Sequence, residues 1–167
     1  MSTPLQAAFF DACRRDDRAA AEALLQEDPQ LAHSADARGF TPLILAVYND
    51  APQVTELLLA AGADPDAQDA AGNTALMGVC FKGYAALFHR LLEGGANIHL
   101  RNANGATALT FAATFGHIAF AEALLQRGAS VLVPDARGKT PLDHAVIQEN
   151  VPMVELLARY LPAESPQ

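Results

Sequence analysis

Tryptophan is absent from the 167 residues, cysteine occurs twice and methionine three times. Two cysteines, Cys13 and Cys80, make no disulfide framework, which fits a reducing compartment. Charged residues are only 18 per cent of the chain, and the basic ones are the scarcer: 11 Lys and Arg against 19 Asp and Glu, a formal net charge of -8. Nucleic-acid binding needs Lys and Arg to neutralise phosphates, and an anionic membrane would repel this balance, so neither partner is expected. No apolar run approaches the length of a membrane span. The start, "MSTPLQAAFFDACRR", has no basic segment ahead of an apolar one, so no secretory signal is read and a cytoplasmic location is expected. What abounds is apolar residues, 51 per cent, in a chain long enough for one domain with a real core.

The chain repeats itself. "GFTPLILAVYND" (39–50), "GNTALMGVCFKG" (72–83), "GATALTFAATFG" (105–116) and "GKTPLDHAVIQE" (138–149) follow one another at a spacing of 33 residues. Gly39, Gly72, Gly105 and Gly138 form one column. Thr41, Thr74, Thr107 and Thr140 form another, and Leu43, Leu76, Leu109 and Leu142 a third. Upstream stand Asp36, Asp69, Asn102 and Asp135; downstream stand Leu58, Leu91, Leu124 and Leu157. The Asp/Asn-x-x-Gly stretch is turn chemistry, with Gly free to take positive φ. Thr then caps a short helix, with Pro42 or Pro141 at its first position. A second, leucine-paired helix ends at Gly62, Gly95 or Gly128. One such pair cannot bury its apolar face alone, so the pairs must stack.

The period of 33 and the segments "TPLILAV", "TPLDHAV", "FGH" (115–117) and "GADPDAQDAAGNTAL" (62–76) resemble the ankyrin repeat family over about residues 5 to 161. The resemblance implies an all-α solenoid of about five stacked helix-turn-helix units with short hairpin fingers. Units are expected at approximately 1–36, 37–69, 70–102, 103–135 and 136–161. They make one domain, 1–161, with 162–167 as a C-terminal tail and the first and last units as caps. At a constant spacing the first unit puts Phe10 in the Leu43 column, Cys13 in that of Ala46 and Leu25 in that of Leu58, with the turn and the "TPL" start missing.

The family implies binding of other proteins on the fingers and on a concave face where the first helices end. The columns at those places vary: Tyr48, Phe81, Thr114 and Ile147, then Asn49, Lys82, Phe115 and Gln148, and after the turn glycines Phe40, Asn73, Ala106 and Lys139. Partner binding is therefore assigned to Phe40, Tyr48, Asn49, Asn73, Phe81, Lys82, Thr114, Phe115 and Lys139. Tyr48, Phe81 and Phe115 are the aromatic anchors, since clustered exposed aromatics are the usual hot spots. Arg38 and Arg137 stand at the turn tips. Cys80 shares its column with Val47, Ala113 and Val146, so both cysteines read as small core residues rather than reactive thiols. Gly78 stands where Leu45, Phe111 and His144 stand in other units. It leaves either a gap that Phe111 fills or a small pocket beside Phe81.

Other chemical signals fail on their spacing. "GKT" (138–140) lacks the earlier Gly of a phosphate loop, position 133 being Val. "DPDAQD" (64–69) lacks the Gly and Glu of a calcium loop. The histidines 33, 89, 99, 117 and 144 show no zinc spacing, and His89 shares an outer polar column with Glu56, Glu122 and Glu155. No catalytic residue, cofactor or metal ligand is proposed. The expected function is non-catalytic binding of one protein partner, basic in character, by a monomer, with a weak homodimer as the other state. Small alanine-rich proteins of this kind resemble bacterial ones, with an inhibitor or immunity role. The alternatives are a small ligand held near Gly78, or an accessory to a stress-response enzyme.

Overall fold

The computed structural model describes residues 3–163; residues 164–167 of the expected tail lie outside the described residues. Contacts divide the chain into two compact units, Met1–Asn97 and Ile98–Gln167. The first contains α1 (Pro4–Arg14), α2 (Arg18–Glu27), a 3-10 turn (Pro29–His33), α3 (Pro42–Tyr48), α4 (Pro52–Ala60), α5 (Ala75–Lys82) and α6 (Ala85–Glu93). The second contains α7 (Ala108–Phe115), α8 (Ile118–Gln126), α9 (Pro141–Ile147) and α10 (Val151–Ala158). No strand occurs among the described residues, and no helix there is long and apolar enough to cross a membrane. In the first unit α3 packs between α1 and α5 while α4 packs against α2 and α6. In the second unit α7 packs on α9 and α8 on α10. Each unit thus has two helical layers.

The threonine column builds the helix starts. Thr41, Thr74, Thr107 and Thr140 accept from the N–H of Ile44, Met77, Thr110 and Asp143 at 3.2 to 3.3 Å. These bonds satisfy donors that a helix N-terminus leaves open. Asp143 answers with the strongest reciprocal bond, its Oδ2 accepting from Thr140 N–H at 2.8 Å. The second helices end at Gly62, Gly95 and Gly128, all at positive φ. Leu58, Leu91, Leu124 and Leu157 are wholly buried between the layers, each stabilising by about 1.5–3 kcal/mol on burial.

The Asp/Asn column builds the fingers. Oδ1 of Asp36, Asp69, Asn102 and Asp135 accepts from the N–H groups two and four residues on, all at 2.9 to 3.0 Å. Each finger is a tight turn rather than a stranded hairpin, and neighbours join through the backbone. Ala70 N–H donates to Arg38 O at 2.9 Å in the first unit, and Ala136 N–H to Asn104 O at 2.8 Å in the second. Gly39 is needed twice over there: its φ is 76°, and a Cβ would lie 2.9 Å from the Ala70 nitrogen.

The first helix pair corrects the expected register. Asp17 N–H donates to Ala12 O, as Ala51 N–H does to Ala46 O, His117 N–H to Ala112 O and Asn150 N–H to Ala145 O. Ala12, not Cys13, is therefore the counterpart of Ala46, and Phe9, not Phe10, that of Leu43. On α1, Phe9 and Cys13 are the residues wholly shut away, both at 0% exposure. The same shift makes Leu24 the counterpart of Leu58, where Leu25 was expected. Cys13 and Cys80 consequently occupy the same column. Nor is the "TPL" start missing: Thr3 caps α1 by accepting from Gln6 N–H, with Pro4 next. It lies one helical turn earlier than its counterparts, so α1 runs to 11 residues where α3 has 7. At the other end α9 is not sealed by polar residues. Val146 is 56% exposed, whereas Val47, Cys80 and Ala113 in its column are wholly buried.

Candidate functional site

In the first unit the arginine and the rings of one finger form a ladder. The Arg38 guanidinium lies 4.7 Å over the Phe40 ring, and Phe40 lies 6.3 Å from Tyr48 at a tilt of 59°. Tyr48 in turn covers Gly78: a Cβ there would lie 3.0 Å from the ring's Cε2. The missing side chain in α5 is thus filled from the preceding repeat by Tyr48. Phe111, the residue expected to fill it, belongs to the second unit. The space for a small ligand at Gly78 is the space the tyrosine occupies. Tyr48 is only half-exposed, and its hydroxyl pKa is raised, first by burial and then by the charge of Asp69.

Phe81 and Lys82, at the end of α5, are both exposed, Phe81 by 42%. Asn49 caps α3 and its Nδ2 donates to Leu45 O at 2.8 Å, so part of its amide serves the helix end. Asn73 is half-buried, its N–H on Asp69.

In the second unit Thr114 and Phe115 line a cavity of about 330 Å³ together with Thr110, Phe111, Asp135, Arg137 and His144. Phe111 and Phe115 are stacked at 6.4 Å and 15°, and Phe115 is 45% exposed. The Thr114 hydroxyl donates to Thr110 O at 2.7 Å, so it offers an acceptor rather than a proton. Across the cavity His144 Nε2 lies 2.7 Å from Asp135 Oδ2. Asp135 is fully engaged, since its other oxygen holds the finger at Arg137 and exposed Lys139. Its pKa is lowered, chiefly by the Lys139 N–H and then by His144 and Arg137, against a rise from burial. A carboxylate so occupied serves as a structural anchor rather than a base.

Sequence reasoning missed Phe111, Asp135 and His144 as lining of this cavity. His144 and Asp135 are nine residues apart, which matches no ligand or helix spacing. The only available signal was that His144 shares a first-helix column with Leu45, Gly78 and Phe111. The thiols are inert. Burial drives Cys80 upward, and it pushes Cys13 up to about 12 against the opposing charge of Arg14. Charge is uneven: thirteen of the 19 acidic residues lie in the first unit, with six of the 11 basic ones.

Comparison with protein families places both units. Residues 76–165 match the family model for ankyrin repeats in three copies, and residues 12–78 match one for ankyrin repeats in many copies. No curated protein was found to match the chain.

Proposed function

Because the chain belongs to the ankyrin repeat family, whose members are generally protein–protein interaction modules, we propose that it is a non-catalytic binder of one protein partner. The observation that carries this reading is Phe115, an aromatic nearly half exposed, stacked on Phe111 in the lining of a cavity that mixes apolar rings with polar side chains. An apolar side chain of the partner entering there would bury both rings against Thr110 and His144. Phe81 would act as the anchor of the first unit, with Lys82, Asn73, Phe40 and Lys139 setting polar and finger contacts. Tyr48 belongs to the support, since its ring is committed to Gly78. The acidic first unit favours encounter with a partner of basic character, which fits an inhibitor or immunity role in a bacterial cytosol.

The test is capture from source-cell lysate with wild type and a Phe81→Ala/Phe115→Ala variant, alongside thermal melts of both. A partner held by the wild type and weakened by a few kcal/mol in a variant with near-native melting supports the reading. If both proteins hold the same partners with equal strength, or if the variant unfolds because the rings are core, the anchors are wrongly assigned.

A further inference from the structure

The early start of α1 has a consequence at the first finger. The extra turn carries Gln6, whose Nε2 donates to Ala35 O at 3.2 Å, tying helix to finger. Between them lies a cleft of about 550 Å³, with Gln6, Phe10 and Arg14 on one wall and Ala35, Asp36 and Arg38 on the other.

The first unit has five arginines. Arg15 pairs with Asp11, Arg90 with Glu56, and Arg18 donates to Gln53 O at 3.3 Å. Arg14 and Arg38 do none of this among the described residues, although acidic residues outnumber basic ones in their unit. Both are exposed, and both face this cleft.

Arg38 is also held ready. Its N–H donates to Asp36 Oδ1 at 2.9 Å, its carbonyl accepts from Ala70 N–H, and its guanidinium lies over Phe40. Contact with one ring face does not use up the five N–H donors of a guanidinium. Asp36 is the one carboxylate in the lining, and its Oδ1 is taken by two finger N–H groups. The cleft therefore keeps a local positive excess inside an acidic surface.

We infer that the cleft between α1 and the first finger receives a carboxylate from a local acidic segment of the otherwise basic protein partner, clamped between Arg14 and Arg38. A planar carboxylate matches the guanidinium fork, and two forks in one cleft favour it over a single charge on open surface. The surrounding negative charge repels acidic chains in general, so only a segment that seats its carboxylate in the cleft gains from binding. This inference rests on the protein-binding reading but not on the Phe115 anchor.

The test is NMR titration of the full chain with a synthetic peptide alternating glutamate and serine, with its glutamine counterpart, and with inorganic phosphate. The expected result is saturable shifts at Arg14, Arg38 and Gln6 with the glutamate peptide. The glutamine peptide should bind at least tenfold more weakly, and Arg14→Glu/Arg38→Glu should abolish the shifts. Arg14→Gln/Arg38→Gln, which adds no new charge, should abolish them too, and Phe115→Ala should leave them intact. Equal response to both peptides, no response at these residues, or retained binding in the variants would overturn the inference. So would inorganic phosphate producing the same shifts as strongly as the glutamate peptide, since the cleft would then be a free-anion site. If the peptide fails while Phe115→Ala still loses the lysate partner, the cleft is refuted and the anchor stands. The reverse pattern refutes the anchor alone.

Discussion

Gly78 and Tyr48 are a matched pair of residues. Glycine inside a helix costs on the order of 1 kcal/mol against alanine, and a Cβ at 78 would press on the tyrosine ring at 3.0 Å. Gly78→Ala is therefore expected to gain nothing in the wild type but to recover close to that ~1 kcal/mol in a Tyr48→Ala background. Urea denaturation of the four proteins of the cycle measures the coupling; strict additivity would mean the ring yields freely. Thr55 is a second residue out of balance. It is wholly buried and its hydroxyl finds no partner among the described residues, while Phe88 and Ala121 in its column are buried and apolar. Thr55→Val keeps the shape and removes the unsatisfied group, so it should stabilise by about 1 kcal/mol, seen as a higher urea midpoint at unchanged slope.

At the scale of the element, two acids hold α9 and its finger in place. Asp143 has its pKa lowered chiefly by the Thr140 N–H and hydroxyl, and Asp135 chiefly by the Lys139 N–H. A carboxylate with a lowered folded pKa stabilises above its unfolded pKa, and that stability is lost as pH falls through the folded value. The loss should thus begin near pH 4, the ordinary aspartate range, and continue below it. Asp143→Asn should be less stable at neutral pH and should lose less on acidification. Melts between pH 7 and 3 check this, and parallel acid curves would rule the aspartate out.

The elements were largely legible because each repeat puts one kind of residue at one depth: Thr at the cap, Asp or Asn at the turn, Leu between the layers. The first pair slipped because Phe9-Phe10 and Ala12-Cys13 are apolar doublets. Either member satisfies the pattern, and only the hydrogen bond to Ala12 O decides between them. The neighbour that fills Gly78 depends on the direction of a side chain, which no column records. The Asp135–His144 contact joins a finger to a helix across a spacing that sequence rules do not cover.

For the whole molecule, repeat stability is a sum of local stacking terms rather than one shared core. We read residues 1–161 as a single cooperative domain, so the two compact units should unfold together. Urea unfolding followed by circular dichroism, Tyr fluorescence and hydrogen exchange should give coincident midpoints. Exchange that frees residues 98–163 well before the first unit would mark two domains joined near Asn97.

The bare Val146 on α9 has a meaning of its own. In α3 and α7 the matching side chain is the seat on which the following repeat is built. Among the described residues that seat is exposed, like the active end of a growing polymer. A designer wishing to lengthen the protein would find the joint already cut.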